Sequence, residues 1–279
     1  MNFFSFEEKL IPLDEWVQTF VDWLVYNYRD VFQTIKAPIE VCLKSFEWLF
    51  NAMPPLVMII LLAIAAWRYA GKKTAIFTVV SFLLIGYLGL WDETMTTLAM
   101  VISSVFFCAL VGIPLGIMAG RSERFELFLR PALDAMQTIP PFVYLVPVVM
   151  LFSIGTVSGI LATIVFALPP IVRLTNLGIR QVHPELIEAA LAFGATSGQV
   201  LRRVQFPLAL PSIMAGLNQT LMMALSMVVI AALIGAGGLG NPVVQGLNTL
   251  EIGLASIGGL AIVLLAMVLD RITQGFGKK

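Results

Sequence analysis

Charge is scarce in this sequence. Asp, Glu, Lys and Arg make up 12% of its 279 residues, where a soluble domain carries about 25%. A globule of this length needs more polar surface than so few charges supply, which excludes a soluble fold. The charges also balance, 17 basic against 17 acidic, which removes the electrostatic case for a nucleic-acid partner. There is one histidine, His183, beside Pro184. A metal or hydrolytic centre needs several His, Asp or Glu side chains converging on one point, so no metal site and no enzyme is expected. The two cysteines, Cys42 and Cys108, match no metal or redox spacing. Cys108 lies in an apolar block and reads as a small packing residue. Residues 1–10 lack a basic segment followed by an apolar core, so no cleaved signal peptide is expected.

Apolar residues fill the space that charge leaves. They make up 59% of the chain and come in blocks of spanning length, as in helices that cross a bilayer. The blocks predict an all-α polytopic membrane protein with seven spans, at 55–70, 74–91, 95–119, 139–155, 157–177, 211–236 and 251–270. Spans two and three are separated only by Trp91-Asp92-Glu93, and four and five by a turn at Gly155. Asp92, Glu93, Glu251 and Asp270 all fall at span ends. An ion-coupled carrier usually keeps an ionisable group at mid-membrane, so this placement counts against one, although backbone carbonyls can also hold sodium.

Basic residues orient the spans. With the segment between spans five and six inside, the inside segments hold Arg68, Lys72, Lys73, Arg121, Arg124, Arg130, Arg173, Arg180, Arg202, Arg203, Arg271, Lys278 and Lys279. The remaining basic residues, Lys9, Arg29, Lys36 and Lys44, lie in residues 1–54, where acidic residues outnumber them two to one. The positive-inside rule then predicts an N-terminus outside and a C-terminus inside. Residues 1–54 form an aromatic, acidic N-terminal segment ahead of the membrane domain, 55–279. Trp16, Phe20, Trp23 and Leu24 recur at spacings of three and four. That pattern fits an amphipathic helix lying at the interface, or one packed on its own bundle. A second piece, about 38–50, reads the same way.

The run Gly235-Ala236-Gly237-Gly238-Leu239-Gly240 is not a nucleotide loop. It follows a membrane helix rather than a strand and has no Lys-Ser/Thr ending. Close backbone packing and a flexible outer turn account for it. Pro114, Pro140, Pro141, Pro147, Pro169 and Pro170 fall within or beside spans, as hinges or as static kinks. Phe142, Tyr144 and Phe152 near the fourth span either line a path or simply pack.

The longest inside segment, about 178–210, carries the most specific pattern. Pro184 suits the first position of a helix, with Glu185 and Glu188 near its positive end. Ala189, Ala190, Leu191 and Ala192 favour helix. Gly194 suits a C-terminal cap, and Thr196 or Ser197 can start a second short helix carrying Arg202 and Arg203, which Pro207 should end. The result is a bent helix pair with a small-residue knob, suited to docking in another protein's cleft. An ordinary loop capping the bundle fits the same residues.

Glu188-Ala189-Ala190, Gly194, Pro207 and Pro211 resemble the "EAA" loop of ATP-binding-cassette import permeases. Residues 133–147 and 169–180, the glycine run at 235–240 and Ile11-Pro12-Leu13-Asp14-Glu15-Trp16-Val17 resemble the glycine betaine/proline betaine group of that family. The likeness covers nearly the whole chain. It implies a permease of the bacterial cytoplasmic membrane that imports quaternary-ammonium osmoprotectants, with choline, carnitine or another small solute as the rival cargo. An ion-coupled carrier is the rival of a different class. The resemblance also implies an ATPase-coupling role for Glu185, Glu188, Ala189, Ala190, Gly194, Arg202, Arg203 and Pro207. Pro140, Pro141, Tyr144, Pro169 and Pro170 are candidates for a gate or path. The implied partners are two cytoplasmic ATPase subunits that use ATP and magnesium, a second permease copy, and a separate periplasmic binding protein, because the sequence stops at Lys279. No cofactor is expected on this chain itself.

Overall fold

The fold was taken from a computed structural model, which describes residues 12–277. The expectations for the first ten residues and for Lys278 and Lys279 lie outside that range. Among the described residues every regular element is helical. In lipid this is the natural outcome, because each backbone N–H and C=O must be satisfied within its own segment.

Helix α1 (Leu13–Ala52) bends at Tyr28, whose φ of −123° and ψ of 19° leave the helical region. Ahead of the bend Trp16, Phe20 and Trp23 stay exposed; beyond it Ile39, Leu43 and Phe50 are buried. The second half packs on the bundle. The first half presents its aromatic face outward.

Helices α2 (Pro55–Ala70) and α3 (Lys72–Tyr87) form a hairpin around Gly71, whose φ of +93° favours glycine. A 107° bend at Met53-Pro54 separates α1 from α2. Then come α4 (Trp91–Arg121) and α5 (Glu123–Thr138), followed by a 3₁₀ turn (Pro141–Tyr144), α6 (Leu145–Phe152) and α7 (Thr156–Arg180). Helix α8 (Pro184–Ala192) leads to α9 (Ser197–Val200), a π-helical turn (Leu201–Gln205) and α10 (Phe206–Ala232). The chain ends with α11 (Gly240–Thr249) and α12 (Ile252–Phe276).

Among the described residues four helices are long and apolar enough to cross a membrane: α4, α7, the continuous 197–232 stretch, and α12. The count rises to six if the bent pairs α1/α2 and α5/α6 each serve as one span. Trp91-Asp92-Glu93 are the first turn of α4 rather than a linker; Leu88-Gly89-Leu90 make the bend. The fourth expected span, 139–155, is not one helix. Pro140 is extended (φ −56°, ψ 137°), and α5 meets the following turn and α6 at 104°. Two consecutive prolines keep the segment apolar while removing the donors that a continuous helix needs.

Helix α7 is the centre of the bundle, between α4 and α10. Lipid is as apolar as leucine, so burial alone does not hold these helices together; close packing does. Gly112, Gly116 and Gly120 line one face of α4 and receive Ile171, Thr175 and Ile179 of α7. A Cβ at Gly116 would lie 2.5 Å from Thr175 Cβ and 2.7 Å from the Val172 carbonyl oxygen. Gly178 and Gly216 likewise let α7 and α10 approach closely, with an added Cβ falling 2.8 Å from Ser212 Cβ and 3.1 Å from Ile171 Cα respectively. Ile171, Val172 and Cys108 are buried within these contacts.

The glycine run is the close packing that the sequence suggested. Gly235, Gly237 and Gly238 have positive φ, and Ala236 and Leu239 are fully buried. Gly240 packs on Ala232 and Val228 near the end of α10, while Gly258 of α12 meets Pro242 and Val243. The chain therefore folds back into the bundle after α10, and α11 runs antiparallel to the start of α12. The tip is latched to α4: the Leu239 N–H donates to Thr97 Oγ1 at 2.8 Å, a buried bond. Replacing Thr97 by the isosteric valine removes the acceptor and leaves a buried N–H unpaired, a cost of about 1–3 kcal/mol. A Thr97→Val variant should show a clearly lower thermal midpoint in detergent. An unchanged midpoint would mean that the latch contributes nothing to stability.

Candidate functional site

The segment between α7 and α10 is built from the cues in its sequence. His183 is extended and precedes Pro184 at the first position of α8, with Glu185 in the first turn. The helix closes on Gly194, whose φ is +83°. The Gly194 N–H donates to the Leu191 carbonyl at 2.9 Å, and the Ala195 N–H to the Ala190 carbonyl at 3.0 Å. Together these bonds make a Schellman cap, which needs a left-handed residue where the glycine stands. Thr196 then starts the next helix through a reciprocal box with Gln199: its N–H donates to Gln199 Oε1 at 2.8 Å, and the Gln199 N–H returns to Thr196 Oγ1 at 3.4 Å.

One feature departs from the sequence reading. Pro207 does not end the second helix, which continues without interruption from Ser197 to Ala232. The π-helical turn over Leu201–Gln205 precedes it, and the Phe206 N–H bonds to the Leu201 carbonyl, five residues back. That wide turn relieves the clash between the proline ring and the carbonyl four residues earlier, so the helix tolerates Pro207. Arg202 and Arg203 are exposed on this turn.

No residue of α8 is buried. Glu185, Glu188, Ala189 and Gly194 are exposed, and Ala190 is half-buried. Phe193, at the tip, is 93% exposed, and Leu186 and Leu191 are about half exposed. A phenylalanine held outward on a capped turn, with two leucines beside it, is an apolar surface that folding of this chain leaves uncovered. Underneath, Ile187 and Leu191 form a cleft with Gly120 and Arg121 at the end of α4.

The sequence reading did not anticipate the polar cluster beside this segment. A cavity of about 420 Å³ separates α5 from α7 and is crossed by two ion pairs, Arg173 to Asp134 at 2.5 Å and Arg180 to Glu126 at 2.7 Å. Arg180 also donates to Asn176 Oδ1 at 2.9 Å and to the Ala119 carbonyl at 3.0 Å, and Asn176 donates to Glu126 Oε1 at 3.0 Å. The signal was present in the spacing. Glu126, Arg130 and Asp134 repeat every four residues on α5, and Arg173, Asn176 and Arg180 follow at three and four on α7, so each set shares one helix face.

The gate candidates lie in two places. Pro140 and Pro141 form the elbow between α5 and the 3₁₀ turn. Tyr144 braces it by donating its hydroxyl to the Met136 carbonyl at 2.7 Å, in the last turn of α5. Pro169 and Pro170 are buried inside α7, and Thr220 of α10 donates to the nearby Ala167 carbonyl at 3.0 Å. Tyr144 also packs in a cluster with Ala162 and Phe166 of α7, about one turn before Pro169. Phe152 packs edge-on against Phe32 of α1, with ring centroids 5.4 Å apart, while Phe142 is exposed.

Residues 112–279 match the family model described as binding-protein-dependent transport system inner membrane component. The chain is 53% identical to the glycine betaine/proline betaine transport system permease protein ProW of Escherichia coli strain K12, over 98% of this chain and 77% of that protein. It is 44% identical to the glycine betaine transport system permease protein OpuAB of Bacillus subtilis strain 168, over 96% of this chain and 95% of the other. Among solved structures, an inward-facing form of the MetNI methionine ABC transporter superposes with a TM-score of 0.59 at 26% identity, covering 65% of this chain and 91% of that one. With matches of that extent, the chain belongs to the inner-membrane permeases of binding-protein-dependent ATP-binding-cassette importers, in the group that includes ProW and OpuAB.

Proposed function

We propose that this permease imports glycine betaine, proline betaine or a closely similar quaternary-ammonium osmoprotectant. The observation that carries this reading is identity of 53% and 44% over nearly the whole chain to permeases named for those solutes. A choline or carnitine importer is the second reading, and its carnitine form is favoured by 45% identity to the glycine betaine/carnitine transport permease protein GbuB of Listeria monocytogenes serotype 1/2a strain 10403S.

In the proposed topology seven spans run from an outer N-terminus to an inner C-terminus. Helices α2 and α3 supply two of the spans and the bent α5/α6 pair a third, beside the four long helices. Sixteen residues extend only about 24 Å. Arg68, Lys72 and Lys73 cluster at one end of this hairpin, where long basic side chains can snorkel to the interface and make up the difference.

The segment 184–207 receives the ATPase. The uncovered Leu186 and Phe193 supply apolar contact, and Glu185 and Glu188 give it direction. Arg202, Arg203 and Pro207 set the angle at which the segment joins α10. Two such permeases, two ATPase subunits and a periplasmic receptor make the working unit. The receptor holds the cation in an aromatic cage, and ATP-driven closure of the ATPases switches the permease between two arrangements. ATP and magnesium stay with the ATPase.

Reconstitution tests the reading. This chain, its ATPase and its receptor in proteoliposomes should take up radiolabelled glycine betaine only when all three and ATP are present. Receptor-stimulated ATP hydrolysis with choline or carnitine, without betaine uptake, would move the cargo to the second reading. No association with the ATPase would remove the role of 184–207. The gate assignment has its own test. If Pro169 and Pro170 are a hinge, replacing both by alanine should cut uptake about tenfold or more while the ATPase still assembles, a rise of roughly 1.4 kcal/mol in the switching barrier. Unchanged uptake would make them static packing residues.

A further inference from the structure

We infer that Arg180 is a positioning residue that couples the ATPase-facing helix α8 to the α5–α6 elbow, with Glu126 as its essential partner. The inference rests on the proposed role of α8 and goes beyond it, because neither residue belongs to the docking segment.

The geometry has three parts. Arg180 is in the last turn of α7, and only Gln181, Val182 and His183 separate it from α8. Its guanidinium reaches Ala119 in the last turn of α4, where the helix stops at Ser122 and leaves late carbonyls without helical partners. It also reaches Glu126, near the start of α5. One side chain thus ties together the end of α4, the start of α5 and the end of α7, three residues before α8 along the chain. Arginine can do this because its planar fork carries several donors at once. Both members of the pair are about one-third exposed, so the bridge is reachable by water and can break and re-form.

From that junction the path onward is stiff. Helix α5 is held a second time by Asp134 and Arg173. Its far end is braced by Tyr144 across the 104° elbow. Helix α6, beyond the elbow, is tied to α1 by the bond from Lys36 to the Phe152 carbonyl at 3.3 Å. A displacement of α8 therefore moves α5 and α6 as one lever while the bridge holds. If the bridge is cut, α5 keeps its Asp134–Arg173 tie to α7 but loses its hold at the end nearest α8, so a movement of α8 reaches the elbow less fully.

This predicts uncoupling rather than inactivity. In proteoliposomes holding this chain, its ATPase and its receptor, glycine betaine taken up per ATP hydrolysed should fall at least tenfold in Arg180→Ala and in Glu126→Ala. Receptor-stimulated hydrolysis should persist in both, and the double variant should fall no further than either alone. Arg130→Ala is the control, since Arg130 lines the same cavity and makes no ion pair among the described residues; its ratio should stay at the wild-type value. A merely structural role would lower uptake and hydrolysis together and leave the ratio unchanged, which would overturn the inference. Equal loss in Arg130→Ala would also overturn it, by assigning the effect to cavity charge. If the unsubstituted complex shows no receptor-stimulated hydrolysis, the importer reading itself fails, and that result is distinguishable from all the others.

Discussion

Gly116→Leu is expected to leave little stably folded permease, with the thermal midpoint in detergent collapsing and most of the protein aggregating on extraction. The cause lies at the closest approach of α4 and α7. A Cβ at position 116 would sit 2.5 Å from Thr175 Cβ and 2.7 Å from the Val172 carbonyl oxygen. The second of these atoms is backbone, so no rotamer change can relieve it; the helices must separate. Forcing extra atoms into a packed interface typically costs 1–3 kcal/mol, and a leucine that wedges two central helices apart should exceed about 3 kcal/mol. The neighbours rank below it. At Gly120 the nearest atoms are Ile179 Cβ and Cγ2, at 2.9 Å, and at Gly112 the nearest is a side-chain methyl of Ile171. Alanine at Gly253 or Gly259 of α12 is the reference, because a Cβ there meets nothing within 4 Å. Those variants should be neutral or slightly more stable, as alanine favours helix by about 1 kcal/mol. A Gly116→Leu protein that melts with the wild type would show that α4 and α7 do not pack this closely.

That contrast separates what apolar content can announce from what it cannot. Hydropathy places the long helices but not their ends: 157–177 matches α7 (Thr156–Arg180) closely, while 251–270 stops six residues short of the end of α12 (Ile252–Phe276), and 211–236 misses the start of the helix that runs from Ser197 to Ala232. It could not see the elbow at Pro140, because hydropathy sums side chains and the break is a backbone event. It also could not see α11, where Asn241, Gln245 and Asn248 dilute a ten-residue helix whose place is set by packing of Gly240 and Gly258. Local signals served best where the physics is local. Pro184, Gly194 and Thr196 each forecast a cap, and each makes the expected bond or turn. The same rules failed at Pro207, because a π turn upstream supplied a remedy that proline propensity does not count. The Arg180 junction was half legible: the spacing put its polar residues on common faces, but nothing along the chain shows that those two faces meet.

The proposed docking segment, 184–207, should be far more sensitive in function than in stability. Glu188 is exposed on a helix with no buried residue, so Glu188→Lys should insert and melt as the wild type does. Gly194 has a φ of +83°, yet a Cβ there meets nothing within 4 Å, and aspartate is among the few side chains that tolerate this backbone region. Gly194→Asp should therefore also fold, with a small loss at most. What both changes alter is the surface offered to a partner. Reversing or adding a charge where an interface closes commonly costs 2–5 kcal/mol, roughly a 30-fold or greater loss of association. Both variants should lose ATP-dependent uptake of glycine betaine, and both should fail to retain the ATPase when the permease is captured from the membrane. The pair separates two mechanisms, because one changes charge in mid-helix and the other adds bulk at the cap. Loss in Gly194→Asp alone would assign the contact to the Phe193–Gly194 tip, and loss in Glu188→Lys alone to the helix body. Normal uptake by both would mean that the ATPase docks elsewhere and that the exposed face of α8 has another occupant.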